Sequence, residues 1–290
     1  MTSLRLVLAA SVLVFAGAVA ACSDTPPGVA ATAASTTSTV TTASPPTTAR
    51  TTVPDTTVPD TTVPDTTVPD TTVPVVTETR QIGTSLEGRS ITAIRRGEVG
   101  GRVVLVIGVI HGDETAGAQV VDRLEQLEVP AGVDLWLVPS MNPDGQSAVD
   151  RHNANQVDLN RNFPYRWGPI GVPGDGQYAG TGPASEPETQ SMVAFIDEIR
   201  PDLVIWYHQD LFRIAPGTGR DGVIRARYAE LVGLPVVSIT GGTYTGVAAT
   251  WARQSIDPGV AFIVELGPTL SDAEADVHAR AVLVVASEPN

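Results

Sequence analysis

Val103-Val104-Leu105-Val106-Ile107-Gly108-Val109-Ile110-His111-Gly112-Asp113-Glu114 is the stretch whose reading decides the fold. A short, continuously apolar, β-branched run is what a strand buried on both faces requires. It stops at a histidine and a glycine turn. Glu114-Thr115-Ala116-Gly117-Ala118-Gln119-Val120-Val121-Asp122-Arg123-Leu124 then places apolar residues at helical spacing. The expectation is a strand-to-helix corner, with His111 at the carboxyl end of a central strand and Glu114 on the first turn of the helix. Ligands bind at that edge of open α/β sheets. An imidazole and a carboxylate on such a corner can reach one zinc ion. Taken alone, His-x-x-Glu also arises by chance.

Outward from this corner the alternation continues. Val133-Asp134-Leu135-Trp136-Leu137-Val138-Pro139, Leu203-Val204-Ile205-Trp206-Tyr207-His208, Val236-Val237-Ser238-Ile239 and Ala261-Phe262-Ile263-Val264-Glu265-Leu266 all read as strands. Upstream, Gln81-Ile82-Gly83-Thr84-Ser85-Leu86-Glu87-Gly88-Arg89-Ser90-Ile91 fits two short strands around a Gly-rich turn. Residues 142–185 are rich in Gly, Pro and Asn and read as irregular; so long a connection inside a compact domain is usually functional. Ser185-Glu186-Pro187-Glu188 opens a helix, with Ser185 as the cap and Glu188 completing a capping box. Met192, Val193, Phe195, Ile196 and Ile199 form its buried stripe, and a last helix covers residues 271–286. The predicted fold is α/β: a single globular domain with a mixed, mostly parallel sheet flanked by helices.

The chain has 290 residues, but its first quarter cannot build a core. Residues 1–22 read as an export signal: Arg5 is its positive region and residues 6–18 its apolar segment, too short to span a membrane comfortably. Val19-Ala20-Ala21-Cys22 resembles a bacterial lipobox, in which the cysteine is lipidated; the alternative is an ordinary cleaved signal with an incidental cysteine. Cys22 is the one cysteine, so no disulfide forms within the chain. Residues 23–76 are a Thr/Pro-rich linker in which Thr-Thr-Val-Pro-Asp recurs. A proline in every five residues forbids helix and central strand, leaving a disordered, extended segment. At about 3.1 Å per residue it reaches roughly 170 Å at most. Lipid anchor and spacer together place the domain, residues 77–290, outside the bacterial cytoplasmic membrane and in the wall layer. A disordered tail without a length requirement is the other reading.

Net charge is −14 for the chain. From Thr77 onward 16 basic and 27 acidic residues remain, every base an arginine. No nucleic-acid partner is expected of so acidic a domain, and a monomer is expected.

Three strands end in groups suited to a metal site: His111, His208 and Glu265. A catalytic zinc takes three protein ligands and keeps one position open. His111, Glu114 and His208 supply a His₂Glu set for one Zn2+, which leaves Glu265 as a carboxylate beside it. Such a carboxylate can take a proton from water and pass it to a leaving amine. The groups suit amide hydrolysis. Singly, His208 could be a core histidine and Glu265 an arginine's partner.

At this point the sequence resembles the zinc carboxypeptidases, over residues 81–266. His111-Gly112-Asp113-Glu114 is similar to that family's first metal motif. Asn142-Pro143-Asp144-Gly145 and Ser185-Glu186-Pro187-Glu188-Thr189 match two further segments, and Val157-Asp158-Leu159-Asn160-Arg161-Asn162-Phe163-Pro164 resembles the carboxylate-binding one. Tyr207-His208-Gln209 stands where the third ligand belongs, and Val264-Glu265-Leu266 where the general base does. The resemblance implies that Asn160 and Arg161 clamp a substrate carboxylate, as a guanidinium fork suits. It implies that Arg151 stabilises the oxyanion. Tyr244 is the candidate for the tyrosine that closes over substrate, although its register against Gly246 and Trp251 departs from the family's pattern. His152 is expected to be a loop residue and His278 a surface one. Val247, Ala248, Ala249 and Thr250 should line the side-chain pocket; small and uncharged, they argue against a pocket dedicated to a charged side chain.

The Gly-x-Ser-x-x-Gly-Arg opening at residues 83–89 and the Asn-Pro-Asp-Gly motif look most like the murein peptide amidase branch. The resemblance then implies cleavage between γ-D-glutamyl and meso-diaminopimelate in cell-wall peptides. A general exported carboxypeptidase, which would remove ordinary C-terminal residues, and a non-catalytic wall-anchored binding protein stay open.

Overall fold

The computed structural model describes residues 75–256 and 259–288. The export signal, Cys22 and the linker as far as residue 74 lie outside the described residues. In chain order the elements are β1 (Val75–Thr84), β2 (Ser90–Glu98), β3 (Arg102–Ile107), α1 (Ala116–Leu124), β4 (Val133–Val138), α2 (Pro143–Ala148), a 3₁₀ turn (Leu159–Arg161), α3 (Pro187–Ile199), β5 (Leu203–Gln209), β6 (Arg213–Ile214), α4 (Gly219–Val232), α5 (Ala248–Ser255), β7 (Val260–Leu266) and α6 (Asp272–Ser287). β1 thus starts just inside the stretch read as linker.

The strands form one mixed sheet in the order β1-β2-β4-β3-β5-β7-β6. β4, β3, β5 and β7 run parallel in the middle, and the outer strands pair antiparallel. Alternation along each central strand divides the core. Val104, Val106, Ile205, Tyr207, Phe262 and Val264 pack with α1, α4 and α6 on one face. Leu105, Ile107, Val204, Trp206 and Ala261 pack with α3 and α5 on the other. His208 follows Tyr207 in the alternation and therefore falls on the α3/α5 face. Glu265 is its register partner on β7, so both point the same way. Strand order reverses between β3 and β5, and a crevice opens at such a switch point.

Several local expectations differ from what is found. β3 ends at Ile107, so His111 lies in the turn beyond the strand, and α1 starts at Ala116, so Glu114 precedes the helix. The turn is held by close packing: a Cβ on Gly112 would fall 1.9 Å from the Gly145 carbonyl carbon, a contact only glycine permits. α3 is preceded by Glu186, not Ser185, at its cap position, and Ser185 Oγ donates to Glu186 Oε1 at 2.7 Å. The capping box proper is on α6, between Ser271 and Glu274. Residues 236–239 form no strand: Val236 makes a single bridge to Ile214, because β6 beside it is only two residues long. His278 is buried at 6% exposure where α6 packs on α4, and Tyr228 Oη lies 2.9 Å from its Nδ1.

Candidate active site

Two turns and two strand ends build the site. The Asn142 side chain caps α2 by accepting from the Gly145 N–H, and its Nδ2 donates to the carbonyls of Ile110 and His152. The Asn-Pro-Asp-Gly segment thereby grips the chain on either side of the cleft. Asp144 is buried and accepts from Ser85 Oγ, the Glu87 N–H and an Arg89 guanidinium N–H. Burial opposes its charge, but these donors hold its carboxyl below the usual carboxylate range. The opening Gly-x-Ser-x-x-Gly-Arg motif is therefore a brace for the turn that carries His111.

His111, Glu114 and His208 offer ligand atoms that all lie within 4.8 Å of one another. His111 Nδ1 lies 2.8 Å from Glu114 Oε1, 3.1 Å from Arg151 Nη1 and 3.2 Å from His208 Nδ1. His208 Nδ1 lies 2.9 Å from Glu114 Oε2. No one placement of protons satisfies this set. His111 Nδ1 cannot both donate to Glu114 Oε1 and accept from Arg151 Nη1. A cation accepting both imidazole lone pairs and a carboxylate oxygen removes the conflict, and an N₂O donor set suits zinc. Asp158, fully buried, accepts from His111 Nε2 at 3.0 Å and so turns the Nδ1 lone pair toward the centre. Burial opposes the charge on both carboxylates, yet His111 and His208 hold Glu114, and His111 with Arg151 holds Asp158, far below the ordinary range. The sequence reading missed Asp158. Asp144, Asp150 and Asp158 are equivalent by composition, and only the fold says which one faces His111.

Glu265 stands beside His208 across the β5–β7 pair. Its Oε2 is buried without a hydrogen-bond partner. Burial, and then the nearby Glu114 charge, push its carboxyl up to about 7. Arg151 reaches in from the irregular segment, donating to Glu114 at 3.0 Å and to Asp158 at 2.8 Å. Arg161 is 4% exposed and donates to the Asn160 carbonyl; its Nε has no partner, and the Tyr244 ring lies over its guanidinium at 5.1 Å. Tyr244, read from sequence as a candidate to close over substrate though out of register, thus stands against Arg161. A Cβ on Gly246 would sit 2.1 Å from the Arg161 carbonyl oxygen, so a glycine is needed to bring the Tyr244 loop this close. Asn160 lines the same cavity, but its Oδ1 accepts from the Ala248 N–H and its Nδ2 lies 3.4 Å from His208 Nε2. It braces His208 against α5. His152 is a loop residue, with Nδ1 2.8 Å from Asp150.

The two cleft histidines, Glu114, Glu265, Arg151 and Arg161 open on one cavity of about 410 Å³. Val247, Ala249 and Thr250 line it as expected, whereas Ala248 is packed into the core. The expectation of an uncharged pocket fails: Arg225 and Arg253 also form its wall. Gln177 lines it too, from the long irregular stretch read as functional, in which the residue itself carried no distinguishing signal.

Converging imidazoles, a buried carboxylate with one unpartnered oxygen and two arginines are compatible with a metal-assisted hydrolase site. The chain belongs to the zinc carboxypeptidase family and is a hydrolase acting on peptide bonds: the family's model, described as zinc carboxypeptidase, matches residues 70–210. Within that family it is similar to murein peptide amidase A of Escherichia coli K12, 31% identical over 182 residues, which are 59% of this chain and 73% of that protein. Murein peptide amidase A of Vibrio campbellii is 29% identical over 193 residues, covering 62% and 76% of the two chains. The crystal structure of the murein-tripeptide amidase of Escherichia coli O157 superposes with a TM-score of 0.59 at 26% identity, over 73% of this chain and 93% of that one. Carboxypeptidase A of Helicoverpa armigera shares the fold, with a TM-score of 0.65 at 20% identity over 73% and 68% of the two chains.

Proposed function

We propose that this protein hydrolyses the amide bond between γ-D-glutamyl and meso-diaminopimelate in cell-wall peptides, with one zinc ion held by His111, Glu114 and His208. The observation that carries the reading is Arg161. A buried guanidinium that no carboxylate among the described residues pairs with, in the same cavity as Glu265 and the histidines, is a receptor for a substrate's free carboxylate. The two murein peptide amidases supply the substrate class.

Bound zinc would supply Lewis acidity toward the scissile carbonyl and toward a water molecule. The chain's own residues do the rest. Arg161 fixes the leaving residue by its carboxylate, and the Tyr244 ring, already over the guanidinium, closes that side. Arg151 presents N–H donors beside Glu114, where charge grows on the carbonyl oxygen. Glu265 accepts a proton from the attacking water and returns it to the departing amine. A buried carboxylate facing the same cavity is placed for both transfers.

The test is to incubate the zinc-loaded chain with L-Ala-γ-D-Glu-meso-diaminopimelate and, separately, with ordinary C-terminal α-peptides, reading products by mass spectrometry. Release of diaminopimelate supports the amidase. Release of ordinary C-terminal residues makes the protein a general carboxypeptidase. Zinc binding without turnover of either reverts to a binding role.

From the lipobox resemblance of Val19-Ala20-Ala21-Cys22 we further propose that the protein is tethered to the outer face of the cytoplasmic membrane through a lipid on Cys22, with residues 23–76 as spacer. Labelled palmitate should enter the wild type and not Cys22→Ala; equal labelling sinks the anchor.

A further inference from the structure

The cavity does not end at Glu265. It continues along the same face of β7, past Ile263, toward Ala261. Four residues of strand are about 13 Å. At the Ala261 level two guanidinium groups meet from different helices. Arg225 of α4 donates to the Ala261 carbonyl at 3.0 Å, and Arg253 of α5 donates to the same oxygen at 2.6 Å. Like charges are held side by side by one shared acceptor.

Among the described residues the charges there do not balance. Asp221 Oδ2 lies 2.7 Å from Arg225 Nε and offsets that cation. Arg225 spends another donor on the Ala215 carbonyl. Among the described residues Arg253 has the Ala261 carbonyl and Thr250 Oγ1 for partners, at 2.6 and 3.2 Å, and no carboxylate there pairs with it. Two of its five N–H donors have partners among the described residues. Burial, and then the Arg225 charge, work against its protonated form, a cost that an incoming anion relieves. Val247, Ala249, Thr250 and Ile263, which line the space between, carry no charge that could do so.

We propose that Arg253, backed by Arg225, is the specificity-determining residue of this cavity and selects a leaving residue whose side chain ends in a carboxylate. The inference rests on the reading that Arg161 holds that residue's other carboxylate. The leaving residue is then a diacid, gripped at both ends by arginine with its methylene chain along Ile263. Meso-diaminopimelate has this form. Lysine has the same chain and amine but lacks the distal carboxylate.

The experiment measures kcat/KM of the zinc-loaded full chain on L-Ala-γ-D-Glu-meso-diaminopimelate and on L-Ala-γ-D-Glu-L-Lys. A charge-assisted hydrogen bond to a desolvated carboxylate predicts a preference for the diacid of about 10–100-fold. In Arg253→Gln the ratio should fall toward one, and Arg253→Lys should restore part of it. Equal rates in the wild type, or a ratio unmoved in Arg253→Gln, overturn the proposal. If neither wall peptide is cut and ordinary α-peptides are, the amidase reading has failed on its own. Peptides ending in 2-aminoadipate and norleucine then put the same ratio to the same variants. If Arg253→Gln does not fold, calorimetry on the wild type decides. Free meso-diaminopimelate binding at least tenfold tighter than free lysine supports the role, and equal binding overturns it.

Discussion

Each face of the sheet buries a histidine, and the two are put to different use. On the α3/α5 face His208 meets Glu114 and His111, with Glu265 as its register partner. On the α1/α4/α6 face His278 bonds a hydroxyl: Tyr228 Oη lies 2.9 Å from its Nδ1, Tyr207 Oη lies 2.7 Å from Tyr228 Oη, and the Glu274 charge one turn away favours its protonated form less than burial opposes it. Tyr207 and His208 are adjacent in β5, so strand alternation alone sends one to each network. Burial does not make a histidine functional. The charged groups around it do, because only they give it a reason to change its proton or hold a cation.

The sharpest way to break this comparison is to disable one face and watch the other. Glu265→Gln should lower kcat by about 10²–10⁴-fold, the range general acid–base catalysis supplies. Zinc content by atomic absorption and melting temperature should both stay at wild-type values. Full activity in this variant would remove Glu265 from the mechanism.

His278 should give the mirror result, an effect on stability with none on turnover. Burial lowers its pKa to about 4, against roughly 6.5 in an unfolded chain. Above pH 6.5 both states are neutral and the residue contributes nothing to pH dependence. As pH falls from 6.5 to 4 the unfolded state takes up the proton first, so up to about 3 kcal/mol of stability is lost. Urea unfolding at pH 7.5 and 4.5 should show a smaller drop in His278→Gln than in the wild type. Equal drops would mean the histidine is free to protonate in place.

Asp158→Asn returns to the first face with a smaller effect. It keeps the shape but weakens the acceptor that orients His111, and zinc affinity by chelator competition should fall about 10–100-fold. The smallest change is Tyr207→Phe, which breaks the link between the two hydroxyls. About 1 kcal/mol of unfolding free energy should go, with kcat unchanged. A fall in kcat would show that the two networks communicate through β5.

Legibility in the sequence tracked how local the physics was. The strands β3, β4, β5 and β7 were readable because a strand buried on both faces must be apolar along its whole length. Val236-Val237-Ser238-Ile239 has the same composition but lacks a partner long enough to pair with, which composition does not record. α4 escaped notice, and its Arg225 with it. His278 was misassigned because the apolar stripe of α6 is broad and its polar member is satisfied by Tyr228, a residue fifty positions away.

The sequence by itself determined the family, the sheet-and-helix class and the groups that face the metal position. His111, Glu114, His208 and Glu265 each sit at the end of an apolar run or in the turn after it, and a parallel sheet brings such ends to one edge. Tertiary structure alone decided which aspartate orients His111, that Tyr244 reaches Arg161, and that the pocket wall is charged. Arg225 and Arg253 come from separate helices and meet only at the carbonyl of Ala261. The sequence records the charge of each arginine, and the packing of α4 and α5 on β7 brings the two charges together.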